Sequence, residues 1–114
     1  MHQHELKPSI ISYSSAISAC EKSEQWERAL WVFMEMSQRS LAPDDIVYNA
    51  MISACEKGKQ WERAVHMLVQ MQVHDLRPNV VSYSAAISAC REGKEWERAL
   101  GMLREMEEQI LEPD

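Results

Sequence analysis

The chain is poor in the residues that accompany disorder, since only three of its 114 residues are glycine and four are proline. It also lacks a long apolar run: the longest runs, such as residues 29–34, fall far short of the roughly 20 residues needed to cross a bilayer. No basic and then apolar leader opens the chain. With 46% hydrophobic and 26% charged residues, the composition predicts a folded, soluble chain that is neither disordered nor inserted in a membrane.

Positive charge is scarce as well. The formal net charge is -6, from 12 basic and 18 acidic residues, which argues against unspecific attraction to a polyanion. The acidic excess is uneven, because residues 80–114 hold eight acidic and four basic side chains. The charge of the whole chain therefore says little about any one face of it.

What the chain does have is a 35-residue period. The residues that recur at this spacing are Tyr13, Tyr48 and Tyr83; Cys20, Cys55 and Cys90; Trp26, Trp61 and Trp96; Met36, Met71 and Met106; and Pro8, Pro43, Pro78 and Pro113. We predict three units, 10–44, 45–79 and 80–114, preceded by a fragment, 1–9, that matches the end of a unit. We therefore expect a segment of a longer array, whose N-terminus and targeting peptide would lie upstream.

Each unit contains two helical patterns. The first is expected to follow an N-cap residue and to end near a turn residue; the caps are Ser9, Asp44 and Asn79, and the turn residues are Ser23, Gly58 and Gly93. The second pattern, about 26–39, has apolar residues mostly three and four apart. No segment alternates with the period of a strand. A lone hairpin cannot bury two such faces, so the units must stack, and the natural packing residues between them are Trp26, Trp61 and Trp96.

The first helical pattern has two distinct faces. Tyr13, Ile17 and Cys20, at i, i+4 and i+7, are predicted to pack inward. A second face, here called the polar stripe, consists of Ile11, Ser14, Ser18 and Glu21; Ile46, Asn49, Ser53 and Glu56; and Val81, Ser84, Ser88 and Arg91. An aliphatic residue heads each row of the polar stripe, beside small polar groups. Such a surface can sandwich flat bases while the neighbouring polar group reads a base edge.

The chain as a whole resembles the pentatricopeptide repeat family. The resemblance rests on the 35-residue period, the opening of the first helix at 48–50, the second helix at 61–64 and the closing segment 76–79. The related tetratricopeptide repeats have a period of 34. The resemblance implies a right-handed superhelical, all-α solenoid that binds single-stranded RNA, one base per unit, in a chloroplast or mitochondrion. Tryptophan at positions 26, 61 and 96 departs from the family's usual leucine.

The resemblance also implies roles for particular residues. By the family's pattern, the base-selecting pairs are Ser14 with Asp44, Asn49 with Asn79, and Ser84 with Asp114; the residues that wedge between bases are Ile11, Ile46 and Val81; and the phosphate-contacting residues are Lys22 and Lys57. The family's code then predicts the sequence 5'-G-C/U-G-3', with the chain parallel to the RNA. Glu92 occupies the lysine position in the third unit, which puts that phosphate contact in doubt.

Plainer roles remain open for several of these residues. Asp44 and Asn79 are also ordinary helix caps, and the small polar side chains of the polar stripe can be solvated helix residues. The three cysteines are expected in the core, because equivalent positions on stacked helices lie about 8 to 10 Å apart, too far for a disulfide. Such reduced thiols fit an intracellular or organellar compartment. No metal or cofactor is expected, since His2, His4, His66 and His74 lack ligand spacing.

Two further interpretations concern function. The sequence contains neither a phosphate-binding glycine loop nor the zinc-deaminase signature that some relatives carry, so we expect no enzymatic activity. The rival to RNA binding is a protein-interaction scaffold or a structural subunit of a larger organellar complex, such as a ribosome or a photosynthetic complex. The acidic balance favours it, as does Trp31, an aromatic residue where the other units have His66 and Gly101.

Overall fold

The structure, a computed structural model, describes the backbone of residues 10–111 and the side chains of residues 10–108. This part of the chain forms six α-helices and contains no strand. The helices are α1 (Ile10–Lys22), α2 (Trp26–Gln38), α3 (Asp45–Lys57), α4 (Trp61–Val73), α5 (Val80–Glu92) and α6 (Trp96–Leu111). The predicted all-α class and the two helices per repeat are confirmed. The predicted fragment 1–9, with its cap Ser9, lies outside the described residues.

The helices form two layers. The first helices, α1, α3 and α5, pack side by side, while α2 and α4 each pack against the first helix of their own unit and that of the next unit. The core lies between the layers, and its inward face is the predicted one: Tyr13, Ile17, Tyr48, Ile52, Cys55, Tyr83 and Cys90 are buried. From the second layer, buried side chains include Ala29, Met36, Ala64, Met67, Leu68 and Met71. Stacking thus buries what a single hairpin would leave exposed.

Side chains fix where α3 and α5 begin. Oδ1 of Asp44 accepts the Val47 N–H at 3.0 Å, and Oδ1 of Asn79 accepts the Ser82 N–H at 3.1 Å. Oγ of Ser82 in turn accepts the Asn79 N–H at 3.1 Å, which completes a capping box. The predicted cap roles of Asp44 and Asn79 are therefore confirmed.

The turns after the first helices are closed by backbone hydrogen bonds. The N–H groups of Gln25, Gln60 and Glu95 donate to the carbonyls of Cys20, Cys55 and Cys90 at 2.8, 2.8 and 2.7 Å. The left-handed residues in these turns are Glu24, Lys59 and Lys94, with φ of 58°, 60° and 64°. Gly58 and Gly93 precede them and have φ of -84°. The first helices therefore end beside Ser23, Gly58 and Gly93, as predicted, but neither glycine adopts the left-handed conformation for which glycine is favoured at helix ends.

The two glycines are instead explained by the tryptophan of the preceding unit. A Cβ atom on Gly58 would lie 2.2 Å from Cδ1 of Trp26, and one on Gly93 would lie 2.3 Å from Cδ1 of Trp61. The next unit also places an arginine over each indole: the guanidinium carbons of Arg63 and Arg98 lie 5.2 Å from the rings of Trp26 and Trp61, respectively. Both tryptophans thus pack between units, as predicted.

Trp96 behaves differently from its two equivalents. Its side chain is 63% exposed, because the described residues include no later unit whose turn could cover it. The predicted packing of Trp96 against a following unit is thus not seen among the described residues. The same four-residue sequence begins at 26, 61 and 96, but two of its tryptophans are half-buried between units and the third is exposed.

The cysteines are core residues. All three are free thiols; Cys55 and Cys90 are buried and Cys20 is half-buried. Burial raises the pKa of the Cys55 thiol to about 11, and burial also raises the pKa of Cys90. These thiols therefore stay protonated and serve as small apolar packing groups, as the sequence predicted.

Candidate functional site

The polar stripe lies on the open side of the layer formed by α1, α3 and α5. The aliphatic residues that head its rows are all exposed: Ile11 by 77%, Ile46 by 60% and Val81 by 55%. Each occupies the first turn or so of its helix, next to the cap of that helix. Three equivalent apolar side chains are thus presented to solvent, one per unit. Other aliphatic residues of the same helices, such as Ile17 and Ile52, are buried in the core.

The small polar residues of the polar stripe are also outside the core. Ser14 and Asn49 are half-buried and Ser84 is exposed, and the serines one turn later, Ser18, Ser53 and Ser88, are half-buried. A hydrogen bond across units shows their alignment: Oγ of Ser88 donates to Oε2 of Glu56 at 3.2 Å. Ser14, Asn49 and Ser84 therefore lie outside the packed interior, and the bond between Ser88 and Glu56 aligns the second and third rows of the polar stripe.

Tyrosine hydroxyl groups tie two of the first helices, α1 and α5, to the second helix of the same unit. The Tyr13 hydroxyl donates to Oε2 of Glu35 at 3.2 Å, and the Tyr83 hydroxyl donates to Oε2 of Glu105 at 3.3 Å. Nε2 of Gln72 donates to the same Glu105 oxygen at 2.8 Å. Burial, with the Glu105 carboxylate beside it, raises the pKa of Tyr83 to about 12. The phenol therefore keeps its proton and remains a donor to Glu105, which ties α5 to α6.

The middle unit contains a bridge between two predicted base-selecting residues. The Ser82 hydroxyl donates to Oδ1 of Asn49, and the same residue forms the capping box with Asn79. Ser82 is fully buried. It belongs to the following unit, and its counterpart one unit earlier is Val47, which has no hydroxyl and cannot connect Ser14 and Asp44 in this way.

The two predicted phosphate-contacting lysines have different surroundings. Lys22 is exposed at the end of α1. Lys57, at the end of α3, donates a hydrogen bond to Oε2 of Glu21 in the preceding unit. This hydrogen bond raises the pKa of Lys57 above its ordinary value, with the charge of Glu21 adding to the effect. Lys57 is therefore partly neutralised by an acidic residue of the polar stripe itself.

Sequence reasoning missed Ser82 and the partner of Lys57. The pair between Glu21 and Lys57 had a detectable signal, because a Glu-Lys dipeptide occurs at 21–22 and again at 56–57. When equivalent helix ends stack, the lysine of one unit approaches the glutamate of the unit before. Ser82 had no comparable signal, because a serine inside the first turn of a helix is a common capping residue. Asp114, the predicted base-selecting partner of Ser84, lies outside the described residues.

Other kinds of site find little support in the part of the chain that is described. There, no three residues among histidine, cysteine, aspartate and glutamate come together in a way that could bind a metal ion; His2 and His4 lie outside that part. None of the described helices combines the length and the apolar character that a membrane span requires.

On the outer layer, α2 exposes Trp31 by 67% and Met34 by 53%.

Comparison with known proteins places this geometry in a family. A family model described as "PPR repeat family" matches residues 8–57 and 43–92, and one described as "PPR repeat" matches residues 81–109. The crystal structure of the pentatricopeptide repeat protein PPR10 from maize aligns with 94% of this chain at 28% identity and a TM-score of 0.80. A crystal structure of PPR10 in complex with an 18-nucleotide psaJ RNA element aligns with 92% at 23% identity and the same TM-score.

The chain spans about 15% of the length of the PPR10 chains it matches. A search of curated protein sequences gives no significant match.

Proposed function

Since this chain belongs to the pentatricopeptide repeat family, we propose that it binds single-stranded RNA along the polar stripe, one base per unit. The observation that carries the proposal is the register of exposed aliphatic residues, Ile11, Ile46 and Val81, each beside a small polar side chain on the same face. PPR10, which shares this fold, has been crystallised with RNA. No step of this proposal requires a cofactor or an enzymatic activity.

The spacing of the units supports base wedging. Packed helices lie about 8 to 10 Å apart, whereas stacked bases in a duplex rise by only about 3.4 Å. Consecutive bases must therefore separate to reach consecutive units. Two bases that contact the same aliphatic side chain from opposite sides lie about 7 to 8 Å apart, since each carbon contact is about 3.5 to 4.0 Å. Ile46 and Val81 are thus of a suitable size and position to fill the gaps between bases.

We assign the bases from the family's pairs. Ser14 with Asp44 would select guanine, Asn49 with Asn79 cytosine or uracil, and Ser84 with Asp114 guanine, which gives 5'-G-C/U-G-3'. Asp44 and Asn79 keep their capping role, which holds their side chains at the helix starts beside the polar stripe. Lys22 and Lys57 would contact phosphates. The family's usual compartments, the chloroplast and the mitochondrion, are the proposed locations.

The direct test is titration of the chain with short RNA oligonucleotides that contain GCG, GUG or AAA. We expect GCG and GUG to bind more tightly than AAA at low salt, with weak absolute affinities because only three bases are read. Fluorescence anisotropy at two salt concentrations measures both the affinity and its electrostatic part. Equal affinities for all three RNAs would contradict the base assignment.

Exchange of one base-selecting residue should change the preferred base. Ser14→Asn is expected to move the first preference from guanine towards uracil, with a change of about tenfold in the ratio of dissociation constants, as for one base-specific contact. The ratio for the third base, read by Ser84, serves as the internal control and should not change. A uniform loss of affinity at every position would instead show that Ser14 is a structural residue.

Release of Lys57 from its acidic partner should strengthen RNA binding. In Glu21→Gln the side chain keeps its size but loses its charge, so we expect affinity to rise about two- to fivefold at low salt and the slope of log K against log salt to steepen by about 0.7. The control is Glu27→Gln, an exposed residue of α2, which changes net charge equally on another face. Equal gains in both variants would mean that net charge alone matters and that Lys57 contacts no phosphate.

A second candidate function is a protein-binding scaffold within a larger organellar complex. The observation in its favour is the exposed pair Trp31 and Met34 on the outer layer, together with the net charge of -6. If none of the oligonucleotides binds, including at low salt, this function replaces RNA binding. Replacement of Trp31 by Ala would then weaken association with the protein partner without affecting the fold.

A further inference from the structure

We propose that Ser82, a residue outside the base-selecting pairs, is a positioning residue that sets which base the preceding unit accepts. It would do so by fixing the orientation of the Asn49 side-chain amide. This inference rests on the proposed RNA-binding function and concerns the same face. It makes the choice of base in one unit depend on a buried residue of the next unit.

The hydrogen bonds around Ser82 direct its hydroxyl hydrogen towards Asn49. Oγ of Ser82 accepts the backbone N–H of Asn79 at 3.1 Å, and Oδ1 of Asn79 already accepts the backbone N–H of Ser82 at 3.1 Å. The single hydroxyl hydrogen lies within reach of two acceptors, Oδ1 of Asn79 at 3.1 Å and Oδ1 of Asn49, which is the closer. Because Oδ1 of Asn79 already accepts the Ser82 N–H, the hydroxyl hydrogen is donated to Oδ1 of Asn49. Because Ser82 is fully buried, water does not compete for this hydrogen, and the bond is worth more than it would be at the surface.

This bond determines what Asn49 offers to a base. With Oδ1 held towards Ser82, the amide is fixed with Nδ2 on the opposite side, and Nδ2 offers a base only donors. The pairing edge of cytosine or uracil has oxygen or ring-nitrogen acceptors for such a donor. The pairing edge of guanine carries two N–H donors beside a single acceptor, so that donor would meet donor. Fixing the amide therefore favours a pyrimidine over guanine at the middle unit.

The first unit provides a natural contrast. At the position equivalent to Ser82 it is followed by Val47, which is also fully buried. The helix therefore accommodates a β-branched side chain at this position without losing its N-terminal cap, since Asp44 still accepts the Val47 N–H. Valine and threonine have nearly the same shape and differ in the hydroxyl, which makes them a matched pair for position 82.

The experiment compares the full chain with its Ser82→Val and Ser82→Thr variants. Dissociation constants are measured for RNAs that differ only in the middle base, cytosine or guanine. We expect the unsubstituted chain and Ser82→Thr to prefer cytosine by about tenfold and Ser82→Val by no more than about twofold, because the freed amide can turn its oxygen towards guanine. The preference at the first base, read by Ser14, is the control and should stay the same in all three proteins.

The outcomes separate this inference from the function on which it rests. If the unsubstituted chain binds neither RNA, the RNA-binding function fails and this inference falls with it. If the chain discriminates and Ser82→Val discriminates equally well, only the role of Ser82 is overturned. A purely structural role would weaken binding of both RNAs by the same factor and leave their ratio unchanged. Ser82→Ala, which adds no volume, replaces Ser82→Val if that variant does not fold, and the same loss of preference is expected.

Discussion

Replacing Gly58 with alanine is expected to lower the free energy of unfolding by about 1 to 3 kcal/mol, as for an overpacked core. The new Cβ would lie 2.2 Å from Cδ1, 2.5 Å from Cγ and 3.0 Å from Cβ of Trp26. Because Cβ and Cγ are the near end of that side chain, rotation of the indole alone does not relieve the overlap. The turn and α2 have to separate, which weakens the contact between the first and second units. Urea unfolding followed by circular dichroism measures the loss.

Gly101 is the matched control for this prediction. It lies inside α6, and a Cβ atom there would have nothing within 4 Å. Gly101→Ala should therefore raise the free energy of unfolding, by about 0.5 to 1 kcal/mol, through helix propensity alone. Opposite signs for the two substitutions are the expected result. A stabilised Gly58→Ala variant would show that Trp26 does not pack against this turn.

The second large effect is expected for Trp61→Ala, at about 2 to 4 kcal/mol, near the lower end of values for large-to-small substitutions because the side chain is half-buried. The indole of Trp61 fills the space above Gly93 and lies under the Arg98 guanidinium. Its removal leaves a cavity between the second and third units. Since a solenoid holds together through contacts between neighbours, the third unit should unfold more readily than the first two. Amide hydrogen exchange resolved by residue detects this as lost protection in α5 and α6.

Trp96→Ala tests whether the loss of stability expected for Trp61→Ala comes from packing between units or from tryptophan at the start of a helix. Trp96 begins α6 as Trp61 begins α4, and the same four-residue sequence starts at both positions. Trp96, however, is largely exposed. Its replacement should change stability by no more than about 0.5 kcal/mol, as at other surface sites. Equal destabilisation by Trp61→Ala and Trp96→Ala would show that the indole stabilises the first turn of its own helix and not the packing between units.

Stability and proposed function are connected through the register of the units. The polar stripe forms a continuous face only while α1, α3 and α5 pack side by side. A third unit that detaches in Trp61→Ala would no longer present Val81 and Ser84 in line with Ile46 and Asn49. RNA affinity should then fall although no residue of the polar stripe has changed, and discrimination at the third base should be lost first.

The sequence by itself determined the helices, their order and their two faces. A helix has 3.6 residues per turn, so the spacing of Tyr13, Ile17 and Cys20 already places these residues on one side and Ser14 on another. The 35-residue period then requires each unit to repeat that division. Local chemistry also determined the capping by Asp44 and Asn79, because a cap and the N–H groups it satisfies are neighbours in the chain.

Only the tertiary structure decided how the units meet. The contacts of Glu21 with Lys57, of Ser82 with Asn49 and of Trp26 with Gly58 join residues from different units. Whether such residues touch depends on the rotation and separation of stacked helices, which sequence spacing within one helix does not define. The same reason explains why three equivalent tryptophans differ: burial depends on the presence of a neighbour, and Trp96 has none among the described units.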